Sequence, residues 1–219
     1  MTGAAVYWFT LSASDQQRRT WWAWLSGQER TRAHRYLNPA HGERYMAAHA
    51  HLRWLLALEL GCDPAELKFW RGAHGKPELA GCGPRFNLSH SGMLGLVGLH
   101  PSIELGVDVE AERARNFSGL AQHFFTPGEQ AWLARQQDTA HAFARLWTCK
   151  EAWMKADGRG LAVLRQPEVQ LAEGGATVHA AGRSWWTREL ALASGYAAAV
   201  VMEAAPAGVS VAKLSPPPA

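Results

Sequence analysis

Cysteine is scarce in this 219-residue chain: Cys62, Cys82 and Cys149 stand far apart and form no CxxC pair. That count and spacing exclude a disulfide-stapled scaffold and a thiolate zinc site, and they fit free thiols in a reducing compartment. Long apolar runs are missing too, and nothing approaches the roughly 20 residues that a membrane-spanning helix needs. The stretch MTGAAVYWFTLSASDQQ has no basic segment ahead of an apolar one, so no secretory signal is expected. A soluble, cytoplasmic protein is the expectation. Net charge is small, 22 basic against 19 acidic side chains, and gives no reason to expect nucleic acid as a partner.

What the chain does have is apolar substance, 47% of residues, and 11 tryptophans. That is enough to bury one large core or the cores of two small lobes. The basic residues are unevenly placed. Arg30, Arg32, Arg35, Arg44 and Arg53 share one acid-poor stretch, which points to a local anion site.

Residues 6–11 (VYWFTL) read as a strand, followed by one polar, Trp-rich helix over about 14–36. Asn38-Pro39 supplies an N-cap with proline at the first helical position, and Gly61 closes the helix; Arg44 and Arg53 fall near its ends, off the apolar stripe. A capped turn at 63–66, a strand LKFW and a turn-rich loop at 71–77 come next. FNLS, MLGLVGL and IELGVDVE read as three strands over 86–110. Thr126-Pro127-Gly128-Glu129 opens a helix, and a longer one runs from Thr139 to Ala156, ended by Gly158. Strand-like pieces fill 162–203, and the tail from Pro206, ending PPPA, is expected to be disordered. Strand, helix and strands recur in each half, so the class is α+β and not alternating βαβ. The halves divide near 100–105, giving an N-terminal lobe 1–104, a C-terminal lobe 105–205 and a tail 206–219.

Chemistry enters with LGVDVE, 105–110. Strand alternation puts Val107 and Val109 on one face and Asp108 and Glu110 on the other. Two readings stand: a half-exposed strand with an acidic outer face, or a pair of hard oxygen ligands for a divalent ion, with phosphate oxygens and waters completing its shell. In LWTCKEAWMKADGRGL, 146–161, the i, i+4, i+8 spacing puts Trp147, Glu151 and Lys155 on one helix face. An exposed Glu–Lys pair there would contribute about 0.3–0.5 kcal/mol and nothing more. Trp147 argues instead for a partly buried face, where a carboxylate and an amine need partners. Glu151 is then a candidate third metal-facing oxygen and Lys155 a candidate phosphate ligand. Lys150 either approaches from the side or is solvated. In RFNLSHSG, 85–92, Ser89 and His90 are strand neighbours that point apart, which excludes a nucleophile–base pair. They remain candidate phosphate ligands, or a strand-end turn with a core histidine. Gly75-Lys76-Pro77 is a turn that says little by itself.

Together, GKP (75–77), FNLSHS (86–91), GVDVE (106–110) and WTCKEAWMKADGRGL (147–161), with Arg44 in AHGERY and Arg53 in HLRW, resemble the Sfp-type 4′-phosphopantetheinyl transferases. The resemblance covers about residues 28–161; each motif is weak alone, but four in register are specific. It implies a monomer of two similar α/β lobes related by a pseudo-twofold axis, with coenzyme A in the cleft between them. It also implies transfer of the phosphopantetheine arm to a serine of an acyl or peptidyl carrier protein, leaving 3′,5′-ADP. On this resemblance Mg²⁺, or Mn²⁺, sits on Asp108, Glu110 and Glu151. Lys155 and Ser89 meet the pyrophosphate, while His90, Arg44 and Arg32 hold the 3′-phosphate. Gly75, Lys76 and Pro77 line the adenine side. Glu151 is the base, directly or through a metal-bound water, with Asp108 and Lys155 completing the catalytic set. Carrier contacts would come from Phe117, Leu120 and Phe124, whose alternative role is core packing. Two rivals are a non-catalytic coenzyme A-binding module and a metal-dependent phosphodiester hydrolase. The hydrolase would need only the carboxylates.

Overall fold

The computed structural model describes residues 3–81, 83–112, 117–172 and 175–219. Its first strand, β1 (Ala4–Thr10), buries Val6 and Phe9. Two helices follow, α1 (Asp15–Trp24) and α2 (Gly27–His34), where the sequence leads one to expect a single helix over 14–36. The break has a local cause. Ser14 with Gln17, and Ser26 with Glu29, each form a capping box in which side chain and backbone satisfy one another's free N–H groups. The second box starts a new helix while Leu25 is held extended.

Helix α3 (Pro39–Leu60) begins as its sequence predicts, with the Asn38 side chain accepting from Ala40 N–H, and ends on left-handed Gly61. It buries Leu52, Leu55 and Leu56 against Phe9, Val97 and Leu99 of the first sheet. That sheet contains β1, β4 (Arg85–Ser91), β5 (Leu94–His100) and β11 (Val209–Lys213), in the order β11-β1-β5-β4. A small hairpin, β2 (Phe69–Arg71) with β3 (Pro77–Leu79), presents the 72–76 turn.

Between His100 and Leu105 the chain passes to the second sheet. There β6 (Leu105–Ala111), β7 (Glu168–Ala172), β8 (Gly175–Ala180), β9 (Arg183–Glu189) and β10 (Tyr196–Met202) pair antiparallel in the order β6-β10-β9-β8-β7. Short helices α4 (Ser118–Phe124) and α5 (Pro127–Leu133) precede the long α6 (Thr139–Asp157), which lies across this sheet. The sequence reading missed α4, which begins without a side-chain cap. Each half is thus one long helix on one sheet, an α+β architecture. A third apolar cluster joins the halves: Leu94 and Leu96 of the first sheet pack with Val107, Val109 and Val200 of the second.

The tail departs from expectation. Instead of being disordered, residues 209–213 pair in parallel with β1, and Leu214 N–H continues the ladder to the Trp8 carbonyl. Beyond them Gln17 Nε2 and Trp21 Nε1 donate to the carbonyls of Pro217 and Pro218, at 3.1 and 3.2 Å. Proline offers no N–H, but its carbonyl accepts and its φ is already fixed, so little freedom is lost when the run is pinned. Among the described residues no helix is long and apolar enough to cross a membrane.

Candidate active site

The site begins with a glycine. A Cβ on Gly106 of β6 would lie 1.9 Å from the Ala152 carbonyl oxygen, so only glycine lets the backbone of α6 rest directly on the strand. Ala152 is fully buried at that crossing. Glu151, just before it, and Lys155, three residues on, are thereby carried over Asp108. Lys155 Nζ lies 2.5 Å from Asp108 Oδ1, 3.0 Å from Ser89 Oγ and 3.6 Å from Glu151 Oε2. The Asp108 side chain is 2% exposed, and its Oδ2 is buried with no hydrogen-bond partner among the described residues.

The two sheets meet edge to edge at this point, through side chains. Asn87, Ser89 and Ser91 share one face of β4 because they alternate along it. Asn87 Oδ1 accepts from Val107 N–H at 2.9 Å, Ser89 Oγ from Val109 N–H at 3.4 Å, and Ser91 Oγ from Ala111 N–H at 3.2 Å. The two hydroxyls in turn donate to the acids of β6, Ser89 to Asp108 Oδ1 and Ser91 to Glu110 Oε2, both at 2.7 Å.

Electrostatics follow from this crowding. Burial, together with the charges of Asp108 and Glu110, pushes the Glu151 carboxyl up to about 7 despite neighbouring Lys155. Burial pulls Lys155 down, but Asp108 and Glu151 outweigh it and hold the ammonium above its ordinary value. Burial lowers His90 to about 4, helped by the positive surroundings of His49, Lys155, Arg32 and Arg44.

Asp108, Glu110, Glu151, Lys155, Ser89 and His90 all line one cavity of about 1010 Å³, at the upper end of the usual range for small-molecule sites. Its wall continues through Gly75, Lys76 and Pro77 and through Arg32, which lies 5.4 Å over the Tyr45 ring. Arg44 is half-buried and outside this wall, although its charge reaches His90. Lys76 Nζ is engaged with Glu104 at 2.7 Å and with the Leu105 carbonyl at 3.2 Å. Sequence reasoning overlooked Tyr45, His49 and Arg71, which also line the cavity. The i, i+4 spacing of Tyr45 and His49 on α3 was the available signal.

Two expectations need correction. Arg53 does not lie off the apolar stripe; it is 1% exposed, bonded to Glu29 and to the carbonyls of Pro64 and Leu67. Burial pushes Glu29 up, but hydrogen bonds from His49 and Arg53 outweigh it and hold the carboxyl at about 2. Lys150 neither reaches the site nor is solvated. It is buried against Glu129, at 2.8 and 3.0 Å, and the Pro167 carbonyl, at 2.6 Å. Trp147, on the helix face of Glu151, is buried as expected and packs on Phe143 and Phe124. The candidate carrier contacts lie partly in that same core. Phe117 stacks on Phe143 at 4.1 Å, Phe124 sits edge-on to Trp147, and Leu120 packs beside them. Residues 113–116 of the same stretch lie outside the described residues.

Among the described residues no three His, Cys, Asp or Glu side chains are set as a ready metal cage. The Lys155 ammonium serves as the cation among the carboxylates. The donors nevertheless suit a hard divalent ion, being carboxylate oxygens with one buried and unpartnered at Asp108 Oδ2.

The family model described as the 4′-phosphopantetheinyl transferase superfamily matches residues 104–201. A Synechocystis protein named putative 4′-phosphopantetheinyl transferase is 39% identical over 145 residues, 64% of this chain and 59% of that one. The 4′-phosphopantetheinyl transferase HetI of a Nostoc species is 38% identical over 168 residues, 74% of this chain and 71% of that one. A Bacillus subtilis 4′-phosphopantetheinyl transferase is 30% identical over 157 residues, 70% of this chain and 68% of that one. This chain therefore spans under two thirds of the Synechocystis relative's length but more than two thirds of the other two. Identity at that level over such a share of two relatives, running through the strand and helix that build the carboxylate cluster, means that the chain belongs to the 4′-phosphopantetheinyl transferase family.

Proposed function

We propose that this protein transfers the 4′-phosphopantetheine arm of coenzyme A to a serine of an apo acyl or peptidyl carrier protein. The products are the holo carrier and 3′,5′-ADP. One observation carries the reading: Lys155, Asp108, Ser89 and Glu151 converge at one wall of a cavity whose other walls bear His90, Arg32 and Lys76. A diphosphate with a second phosphate matches the charges of Lys155, Arg32 and Lys76 around a carboxylate cluster, with the neutral His90 imidazole as a hydrogen-bonding partner.

The carrier serine Oγ attacks the β-phosphorus. The new P–O bond forms as the bond to the oxygen of 3′,5′-ADP breaks. Charge spreads over the phosphoryl oxygens, so positioning and electrostatics do most of the work. Lys155 offsets charge on the departing nucleotide. Glu151, its carboxyl raised by burial and the neighbouring acids, takes the serine proton as the base. His90 and Arg32 orient the nucleotide end, and the charge of Arg44 adds to the field there. Mg²⁺, or Mn²⁺, when bound, would be held by Asp108, Glu110 and Glu151 and would supply Lewis-acid charge to the diphosphate. In the same reading the protein works as a cytoplasmic monomer, its lobes 1–104 and 105–205 enclose the nucleotide, and Phe117, Leu120 and Phe124 border the carrier.

The test is to incubate the protein with coenzyme A, Mg²⁺ and a panel of apo carriers. The expected result is a mass gain of one phosphopantetheinyl group on carrier serine, with equimolar 3′,5′-ADP. Release of 3′,5′-ADP without a carrier would instead mark a hydrolase, and coenzyme A binding without turnover a binding module.

A further inference from the structure

Strand β6 is the edge of its sheet, and its outward N–H groups need acceptors. The neighbouring edge β4 supplies them from side chains, with Asn87, Ser89 and Ser91 matched in order to Val107, Val109 and Ala111. An ordinary backbone ladder would leave the carboxylates of β6 unheld on that side. Here the accepting hydroxyls are also donors, so each serine fixes a backbone N–H and a carboxylate oxygen at once. Ser89 lies in the cluster with Lys155. Among the described residues Ser91 makes no hydrogen bond to Lys155 or Glu151; its donor bond goes to Glu110 Oε2 and its acceptor bond to Ala111 N–H.

We infer that Ser91 is a positioning residue that sets the Glu110 carboxylate for divalent-ion binding, through a bond made across the junction of the two sheets. This rests on the proposed role of Glu110 as a metal ligand. A hydroxyl donating to one carboxylate oxygen restricts the rotamer from which that carboxylate meets an ion. Partners of this kind contribute about 10–100-fold to metal affinity when removed. The serine does not touch the ion, so its effect is on affinity and alignment, while nucleotide binding without metal is left alone.

The experiment measures Mn²⁺ binding to the full chain by electron paramagnetic resonance, with coenzyme A affinity measured separately in chelator. For Ser91→Ala the expected result is Mn²⁺ binding at least tenfold weaker, unchanged metal-free coenzyme A affinity, and recovery to within about threefold in Ser91→Thr, which keeps the hydroxyl. Ser91→Cys retains the size of serine with a weak donor, so it stands in should the alanine variant fold poorly, and it is expected to lose Mn²⁺ affinity likewise. Unchanged Mn²⁺ binding in Ser91→Ala or Ser91→Cys overturns the inference while leaving the proposed transferase in place. Equal loss of metal-free coenzyme A affinity also overturns it, by showing a general loosening of the junction. If the unaltered protein fails to bind Mn²⁺ at all, the metal reading falls and the inference with it.

Discussion

Lys155 Nζ lies 2.5 Å from Asp108 Oδ1 and 3.6 Å from Glu151 Oε2, so a lysine of α6 is the counter-charge for acids of two different elements. An ammonium in that position both holds the cluster together and is poised to meet a diphosphate. In the proposed reaction, removing it takes away charge stabilisation of the departing nucleotide. Lys155→Met is expected to lower kcat by about 10²–10³-fold, the usual effect of losing one oriented donor. Asp108→Asn and Glu151→Gln should each abolish most transfer. Circular dichroism should show all three folded. Full activity in Glu151→Gln would remove Glu151 as the base.

Gly106 is where α6 touches β6. Any side chain there meets the Ala152 carbonyl, which is backbone and cannot swing away. Gly106→Val should therefore displace the helix, separate Glu151 and Lys155 from Asp108, and lower both melting temperature and transfer. A valine variant with native activity would show that the crossing is looser than described.

His51 is fully buried, stacked on Phe9 at 4.0 Å, with Nδ1 on the Ala47 carbonyl and Nε2 unpartnered among the described residues. Burial lowers it from 6.5 to about 4, so the native state keeps it neutral where the unfolded chain would protonate it. That stability is complete above pH 6.5 and is lost as pH falls toward 4, on the order of 3 kcal/mol at about 1.4 kcal/mol per unit. His90 contributes in the same direction and window. Denaturation in urea across pH 7 to 4 should show a shallower decline in His51→Phe than in the parent protein. Parallel curves would contradict a buried neutral imidazole.

Lys150 stands next to Glu151 in sequence yet serves structure. Lys150→Met leaves Glu129 charged and buried, and breaking such a pair costs about 3–5 kcal/mol. Transfer per folded molecule should be unchanged at a temperature well below unfolding. A loss of turnover in fully folded Lys150→Met would place this lysine in the chemistry after all.

The C-terminal segment is a tie from the second half back to the first. Deleting residues 206–219 removes β11 from β1 and the carbonyl partners of Gln17 and Trp21. Each such hydrogen bond contributes about 0.5–1.5 kcal/mol, and each kcal/mol is about 2–4 °C in melting temperature for a chain of this size. Scanning calorimetry should show the deletion melting several degrees lower. No change would mean that the tail is not bound in solution.

Local chemistry was enough for much of this protein. Asn38-Pro39 and Gly61 delimit α3 because caps act within a turn, and alternation along LGVDVE put both acids on one face because a strand has no other choice. Four short motifs in register pointed to the family. Other features needed the folded chain. The split at Ser26 was readable as a capping box but was passed over. Lys150 and Glu151 are neighbours, yet one enters a buried ion pair and the other faces the cavity; that difference depends on what packs around α6. The tail's composition argued for disorder, and a free edge on β1 overrode it. Most of all, the bonds from Asn87, Ser89 and Ser91 to β6 span about twenty residues and two sheets. Sequence supplies the hydroxyls and the acids, but only the meeting of the two sheet edges decides which oxygen each hydroxyl holds.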